Sequence, residues 1–286
     1  MAIAKLHECG HSVSIVCHLL QVSRSAFYRF QQGILSEHQR TDERLKALIR
    51  KTFWKHKRRF GARRVSKQLA SEDDACGRHR TGRLMREMGL QAIQPKSFRP
   101  KTTDSRHHLG YSKNLLQNAK APTKLDQIWV CDITYIPLAS SSFAFAALVM
   151  DRFSRRILGW KIESHMKEPL VLATLRMAIR TRQPKPCTIH HSDRGGQYAG
   201  KLYRAVLDRA KMQQSMSRAG NCYDNAFMES CFGTIKTELE LDCFANLAIA
   251  RKEITAYIRY YNIERMHSSL EYLPPSEFER QARLQQ

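Results

Sequence analysis

The sequence predicts two parts: an all-α, strongly basic region, followed by an α/β core built on a mixed five-stranded sheet with flanking helices. Three observations carry this. Positive charge is concentrated ahead of residue 125, the hydrophobic pattern changes there from helical to alternating spacing, and the first apolar strand run has an aspartate, Asp132, in its middle.

The 286 residues carry a net charge of +22, divided unevenly. Residues 1–124 hold 26 Lys and Arg against 9 Asp and Glu, whereas residues 125–286 hold 22 against 17. Such asymmetry points to a polyanion, because each neutralised phosphate releases condensed counterions. No stretch approaches the roughly 18 apolar residues of a membrane span, and the first twenty residues lack the apolar run of a secretory signal, so no membrane partner and a cytoplasmic location are expected. The eight cysteines are dispersed without a C-x-x-C pair, as in a reduced protein. His7, Cys9, His11, Cys17 and His18 cluster, but their spacing fits no zinc finger and reads as ordinary helix.

Four segments follow in order. Residues 1–38 form a helix-turn-helix-like segment: Val13, Val16, Cys17, Leu19 and Leu20 make one helix, and Ser23 caps a second running through Phe27. Residues 39–94 form a DNA-contacting helical module. One helix runs through Leu45, Ile49 and Phe53, one follows the turn at Gly61 with Val65 and Leu69 inward, and one ends at Gly89. Arg63, Arg64, Lys67, Arg78, Arg80, Arg83 and Arg86 crowd the last two helices and outnumber the nearby acids, which marks Arg63, Arg64, Lys67, Arg80, Arg83 and Arg86 as DNA-binding candidates. Residues 95–124 lose periodicity and read as a basic linker.

In the core, residues 125–286, the runs 128–136, 143–150 and 157–162 suggest a three-stranded meander. Pro169 then opens a helix that Pro184 and Pro186 end. A strand through His190 and His191, a helix over 201–211, a short strand near Met216 and helices over 224–241 and 247–262 complete the pattern. Three strands first and alternation afterwards is the order of the ribonuclease-H-like fold.

The chemistry is expected at three carboxylates. Asp132 sits where aspartate is disfavoured and buried charge is costly. Asp193 ends a strand and precedes Gly195 and Gly196. Glu229 lies on a helix with Asn225 at i−4 and Lys236 nearly in phase at i+7. Three converging acids repel unless cations intervene, and oxygen-only ligands suit magnesium or manganese. Two such ions suit in-line displacement at phosphorus. Asp224 reads as a cap and Asp151 as a strand-end residue. One of His190 and His191 is expected in the core and the other against substrate, and Tyr260, Tyr261, Asn262, Arg265 and His267 either pack over the catalytic helix or touch DNA.

The segments WVCDITYI, HSDRGGQY, DNAFMESCFGTIKTEL and YYNIERMHSSLEYLPPSEFE resemble the successive motifs of the insertion-sequence-three family of transposases, OrfB type, with their DDE integrase catalytic core. The 35 residues between Asp193 and Glu229 and the position of Lys236 match that family's pattern, and RRVSKQL with RTGRLMREMGL resembles its helix-turn-helix segment. The resemblance spans about residues 41–279. It implies a bacterial, nucleoid-associated enzyme that cleaves insertion-sequence ends and joins the freed 3′-hydroxyl to another strand. It implies that Asp132, Asp193 and Glu229 are the metal ligands, and that Asn225 and Lys236 position DNA. It also implies an upstream-frame, OrfA-type partner or fusion. Joining two ends calls for a homo-oligomer on double-stranded DNA. A nuclease of the same fold that does not join, and an inactive DNA-binding regulator, are the competing readings.

Overall fold

Local signals start and stop the helices of the first part. The computed structural model describes residues 2–33, 35–94, 110–117, 119–140, 142–217, 226–241 and 243–284. It divides the chain into two compact units, residues 1–92 and 93–286.

The first unit is all helical, with α1 (Ala2–Glu8), α2 (Val13–Leu19), α3 (Arg24–Gln31), α4 (Glu37–Lys55), α5 (Ala62–Ser71) and α6 (Arg78–Glu87). Ser23 caps α3 by accepting the Ala26 N–H at 3.2 Å. Ser36 and Gln39 form a capping box ahead of α4. After α6, Gly89 takes a φ of +66°, the left-handed turn that glycine adopts at least cost. Ile3, Val13, Val16, Cys17 and Phe27 make a small core under α1–α3. Helices α4, α5 and α6 pack on one another, burying Leu45, Ile49, Phe53, Val65, Leu69 and Leu84.

The second unit is a sheet covered on both faces. Its strands are β1 (Ile128–Pro137), β2 (Phe143–Asp151), β3 (Ile157–Glu163), β4 (Ile189–Ser192) and β5 (Gln213–Met216), in the order β3-β2-β1-β4-β5. The β1–β2 and β2–β3 pairs are antiparallel, and β1–β4 and β4–β5 are parallel. This mixed sheet with flanking helices is the expected ribonuclease-H-like architecture. Helices α7 (Glu168–Arg182), α8 (Gly196–Ala199) and α9 (Lys201–Arg209) cover one face, and α10 (Ala226–Glu238) and α11 (Leu247–Ile263) cover the other. A terminal helix, α12 (Pro275–Leu284), follows a 3-10 turn at Ser268–Leu270.

Alternation along β1 sorts its side chains. Trp129 and Cys131 enter the core under α7 and α9, while Ile128, Val130 and Ile136 enter the one under α10 and α11. Asp132 shares the second parity. Residues 110–117, part of the expected linker, instead lie along β5: Ser112 Oγ donates to Gln214 Oε1 at 2.8 Å, and the Leu115 N–H to Ser215 Oγ at 2.9 Å. They cover a strand edge that would otherwise stay unpaired.

Candidate active site

Sheet register brings the first two acids together. In the parallel β1–β4 pair Val130 lies opposite His191, so two residues further along Asp193 comes level with Asp132. Asp132 is half-buried, and its Oδ1 accepts the N–H of Ile133 at 2.8 Å. Burial, then the charge of Asp193, and to a smaller extent Glu229, push its carboxyl well above the ordinary aspartate range. Asp193 is half-buried just past the end of β4, where its Oδ1 accepts the Gly195 N–H at 2.9 Å. A Cβ on Gly195 would stand 2.7 Å from Gln197 Oε1 and 3.0 Å from Asp193 Oδ1, so a larger residue there would push these two side-chain ends aside.

Glu229 lies exposed in the first turn of α10, where a carboxylate complements the helix dipole. The helix is oriented by Met228, Cys231, Phe232 and Ile235, which are buried against the sheet. Lys236 is half-buried on the same helix, and burial lowers its pKa. Asn225 and Asp224 lie outside the described residues. Asp132 thus lies within electrostatic reach of both Asp193 and Glu229. Among the described residues, however, no three His, Cys, Asp or Glu side chains are gathered closely enough to hold one ion as they stand. The donor set, carboxylate oxygens that repel each other, fits a hard divalent cation.

The two histidines depart from expectation, since both are buried. The His190 ring bonds the Tyr203 hydroxyl and lies 3.5 Å from Cys131 Sγ. Its pKa is pushed down to about 3, first by burial and then by His191. His191 Nδ1 pairs with Ser215 Oγ at 2.8 Å. Both rings are thus engaged inside the core, His190 with Tyr203 of α9 and His191 with Ser215 of β5. Asp151 is also buried and receives the N–H groups of Asp126, Phe153 and Ser154, which fixes the turn after β2.

The C-terminal residues pack over α10 and the sheet beside it. Arg265 pairs with Glu238 of α10, and the Asn262 amide bonds both the N–H and the C=O of Ile157, each at 2.9 Å. Sequence reasoning missed Glu238 and Glu279, because both are acids whose arginine partners are remote in the chain. It also missed Arg152 and Arg155, whose guanidiniums lie against the Phe227 ring of α10. The run of arginines in DRFSRR, between two apolar strands, was the available signal.

In the helical unit the structure divides the basic candidates. Arg80 Nε and Arg83 Nη2 each donate to Asp42 at 2.8 Å, and Arg83 Nη1 donates to Glu87 at 2.6 Å. The Arg83 bond, opposed by burial and aided by Arg80, holds the Asp42 carboxyl down at about 2. These two arginines, expected as DNA contacts, therefore brace α6 on α4. Arg64 is half-buried and donates to the Arg59 carbonyl at 3.1 Å. Arg63 and Lys67 are exposed one turn apart on α5, and Arg86 is exposed on α6.

Models of known families match most of the described chain. An HTH-like domain matches residues 40–98, and two integrase core domain models match residues 122–222 and 210–275. The "Insertion element IS600 uncharacterized 31 kDa protein" of Shigella sonnei is 38% identical over 92% of this chain and 97% of that protein. "Transposase InsF for insertion sequence IS3A" of Escherichia coli K12 is 32% identical over 96% of both. Among solved structures, the HTLV-2 integrase catalytic core domain in complex with magnesium has a TM-score of 0.45 and 16% identity, covering 55% of this chain and 98% of that one.

Proposed function

This chain belongs to the insertion-sequence-three family of transposases, and from that premise we propose that Asp132, Asp193 and Glu229 are its catalytic metal ligands. It is a DDE transposase, an enzyme that cleaves and joins DNA strands. The observation that carries the assignment is Asp132. This carboxylate in the middle of a core strand faces the α10 side and is held in the charge field of Asp193 and Glu229.

Two magnesium or manganese ions, when bound, would supply activation of the attacking oxygen and stabilisation of the leaving oxygen at phosphorus. Asp132 and Asp193, set by the β1–β4 register, would hold them from the sheet, and Glu229 from the helix. Cleavage breaks a phosphodiester with water and frees a 3′-hydroxyl. Joining then transfers a phosphorus from its old 3′-oxygen to that new one, so one ester forms for each that breaks. Lys236 and Asn225 serve to position the strand near the reacting phosphate.

The partner is double-stranded DNA, comprising insertion-sequence ends and target. Arg63, Arg64, Lys67 and Arg86 bind phosphates from the helical unit, and the assembly on DNA is a homo-oligomer joined by an OrfA-type partner or fusion. No described helix is long and apolar enough to cross a membrane, and the place of action is the bacterial cytoplasm, at the nucleoid.

The test compares the wild-type chain with Glu229→Gln in cleavage and strand-transfer assays on element-end DNA in magnesium. Joined products that vanish in the variant while DNA binding persists support the assignment. Equal activity in both proteins would remove Glu229 from the site. Nicking without joining would favour a nuclease or a requirement for the upstream partner.

A further inference from the structure

The turn between β2 and β3 carries Arg152, Arg155 and Arg156. Arg156 is paired with Glu279 at 2.7 Å. The other two are not paired with any acid among the described residues. Their guanidinium carbons lie 4.5 Å and 4.1 Å from the centre of the Phe227 ring, two positions before Glu229 on α10. Both side chains are half-buried, and Arg152 Nε is buried without a hydrogen-bond partner. Burial depresses the pKa of each below the ordinary arginine value.

The groups that face Arg155 supply little counter-charge. Among the described residues those that act on it most are Tyr261, Arg152, Cys231 and Asp151, and the Asp151 carboxylate is already occupied by three backbone N–H groups. Arg155 also holds a φ of 60°, a left-handed conformation uncommon outside glycine. Elsewhere in this unit Arg156 and Arg182 share Glu279, Arg251 meets Glu163 and Arg265 meets Glu238.

A half-buried guanidinium is costly without an anion, and an aromatic face compensates only in part. Its planar fork, however, matches a phosphate. We propose that Arg152 and Arg155 form a phosphate-binding pair that takes the sugar–phosphate backbone of a DNA strand beside the catalytic helix. This rests on the reading of the core as one that handles DNA. Phe227 supports both guanidiniums, so the pair links the position of the bound strand to the helix that carries Glu229.

The experiment titrates the full chain with a labelled linear DNA duplex over a range of salt concentrations. Arg152→Gln with Arg155→Gln is expected to weaken binding about tenfold at low salt and to flatten the log–log salt slope by roughly 1.8, about 0.9 for each phosphate that is no longer neutralised. Phe227→Leu, which leaves the charges in place, keeps the wild-type slope. An unchanged slope in the arginine variant, with thermal stability lowered as in Phe227→Leu, would mean that the pair only holds the ring, and the proposal fails. A second measurement needs no variant. DNA should slow dicarbonyl modification of Arg152 and Arg155 severalfold in the wild-type chain, as mapped by mass spectrometry, and no protection overturns the site. If Glu229→Gln abolishes cleavage while the arginine variant keeps its slope, this proposal alone fails. Salt-independent DNA binding by the wild-type chain would overturn both readings.

Discussion

Arg265 grips Glu238 inside the core, with Nη2 2.8 Å from Oε1 and Nε 3.0 Å from the same oxygen, while the Tyr257 hydroxyl donates to Oε2 at 2.9 Å. Glu238 ends the helix on which Glu229 sits, so this pair ties α10 to the chain beyond α11. Removing one partner leaves a buried charge uncompensated, whereas removing both does not. Arg265→Met or Glu238→Gln alone is expected to lower stability by about 3–5 kcal/mol. The double replacement Arg265→Met, Glu238→Met should recover most of that. Denaturant unfolding of the three variants checks this, and equal losses in all of them would contradict it.

Gly159 sets the approach of α7 to β3. A Cβ there would stand 2.4 Å from the Thr174 carbonyl oxygen and 2.9 Å from the Ala178 nitrogen, both backbone atoms that cannot turn aside. Gly159→Ala should cost about 3 kcal/mol as the helix is forced off the sheet. A thermal melt within a degree of wild type would show that α7 shifts freely.

His56 makes the helical unit sensitive to acid. It is buried and stacked on Phe60, with ring centres 3.7 Å apart. Burial, and then the charge of Lys55, push its pKa down to about 4 from an ordinary 6.5. Its contribution is therefore complete above pH 6.5 and erodes as pH falls, because the unfolded chain takes the proton first. By pH 4 the loss reaches about 3 kcal/mol. Melts from pH 7 to 4 should show this slope in the wild type and a shallower one in His56→Phe.

The basic residues of the helical unit should separate into two groups. Arg83→Ala releases Asp42 and Glu87 and should lower thermal stability. Arg63→Ala with Lys67→Ala should leave the melt unchanged while flattening the salt dependence of DNA binding by roughly one to two units of slope. If Arg63→Ala with Lys67→Ala binds DNA as the wild type does, α5 does not face the phosphates.

Where hydrophobic period and local chemistry agree, the chain is legible directly. The five strands, the capping Ser23 and the odd placement of Asp132 follow from neighbours within a few positions. Helix α12 escaped because its buried anchor is the charged Glu279, held by Arg182 and Arg156, so no apolar stripe announces it. The four-residue α8 is too short to show any period.

By itself the sequence determined the fold class, the strand and helix that bear the three acids, and the family pattern of their spacing. Only the tertiary structure decided which charges serve the fold. Arg80 and Arg83 are taken by Asp42, 38 and 41 positions away, and Arg265 by Glu238, 27 positions away. It also put both histidines inside, and it set Arg152 and Arg155 against Phe227 with no paired acid among the described residues. The reason is physical: periodicity is a property of neighbouring residues, whereas the pairing of a charge depends on which distant groups the packed core brings within a few ångströms.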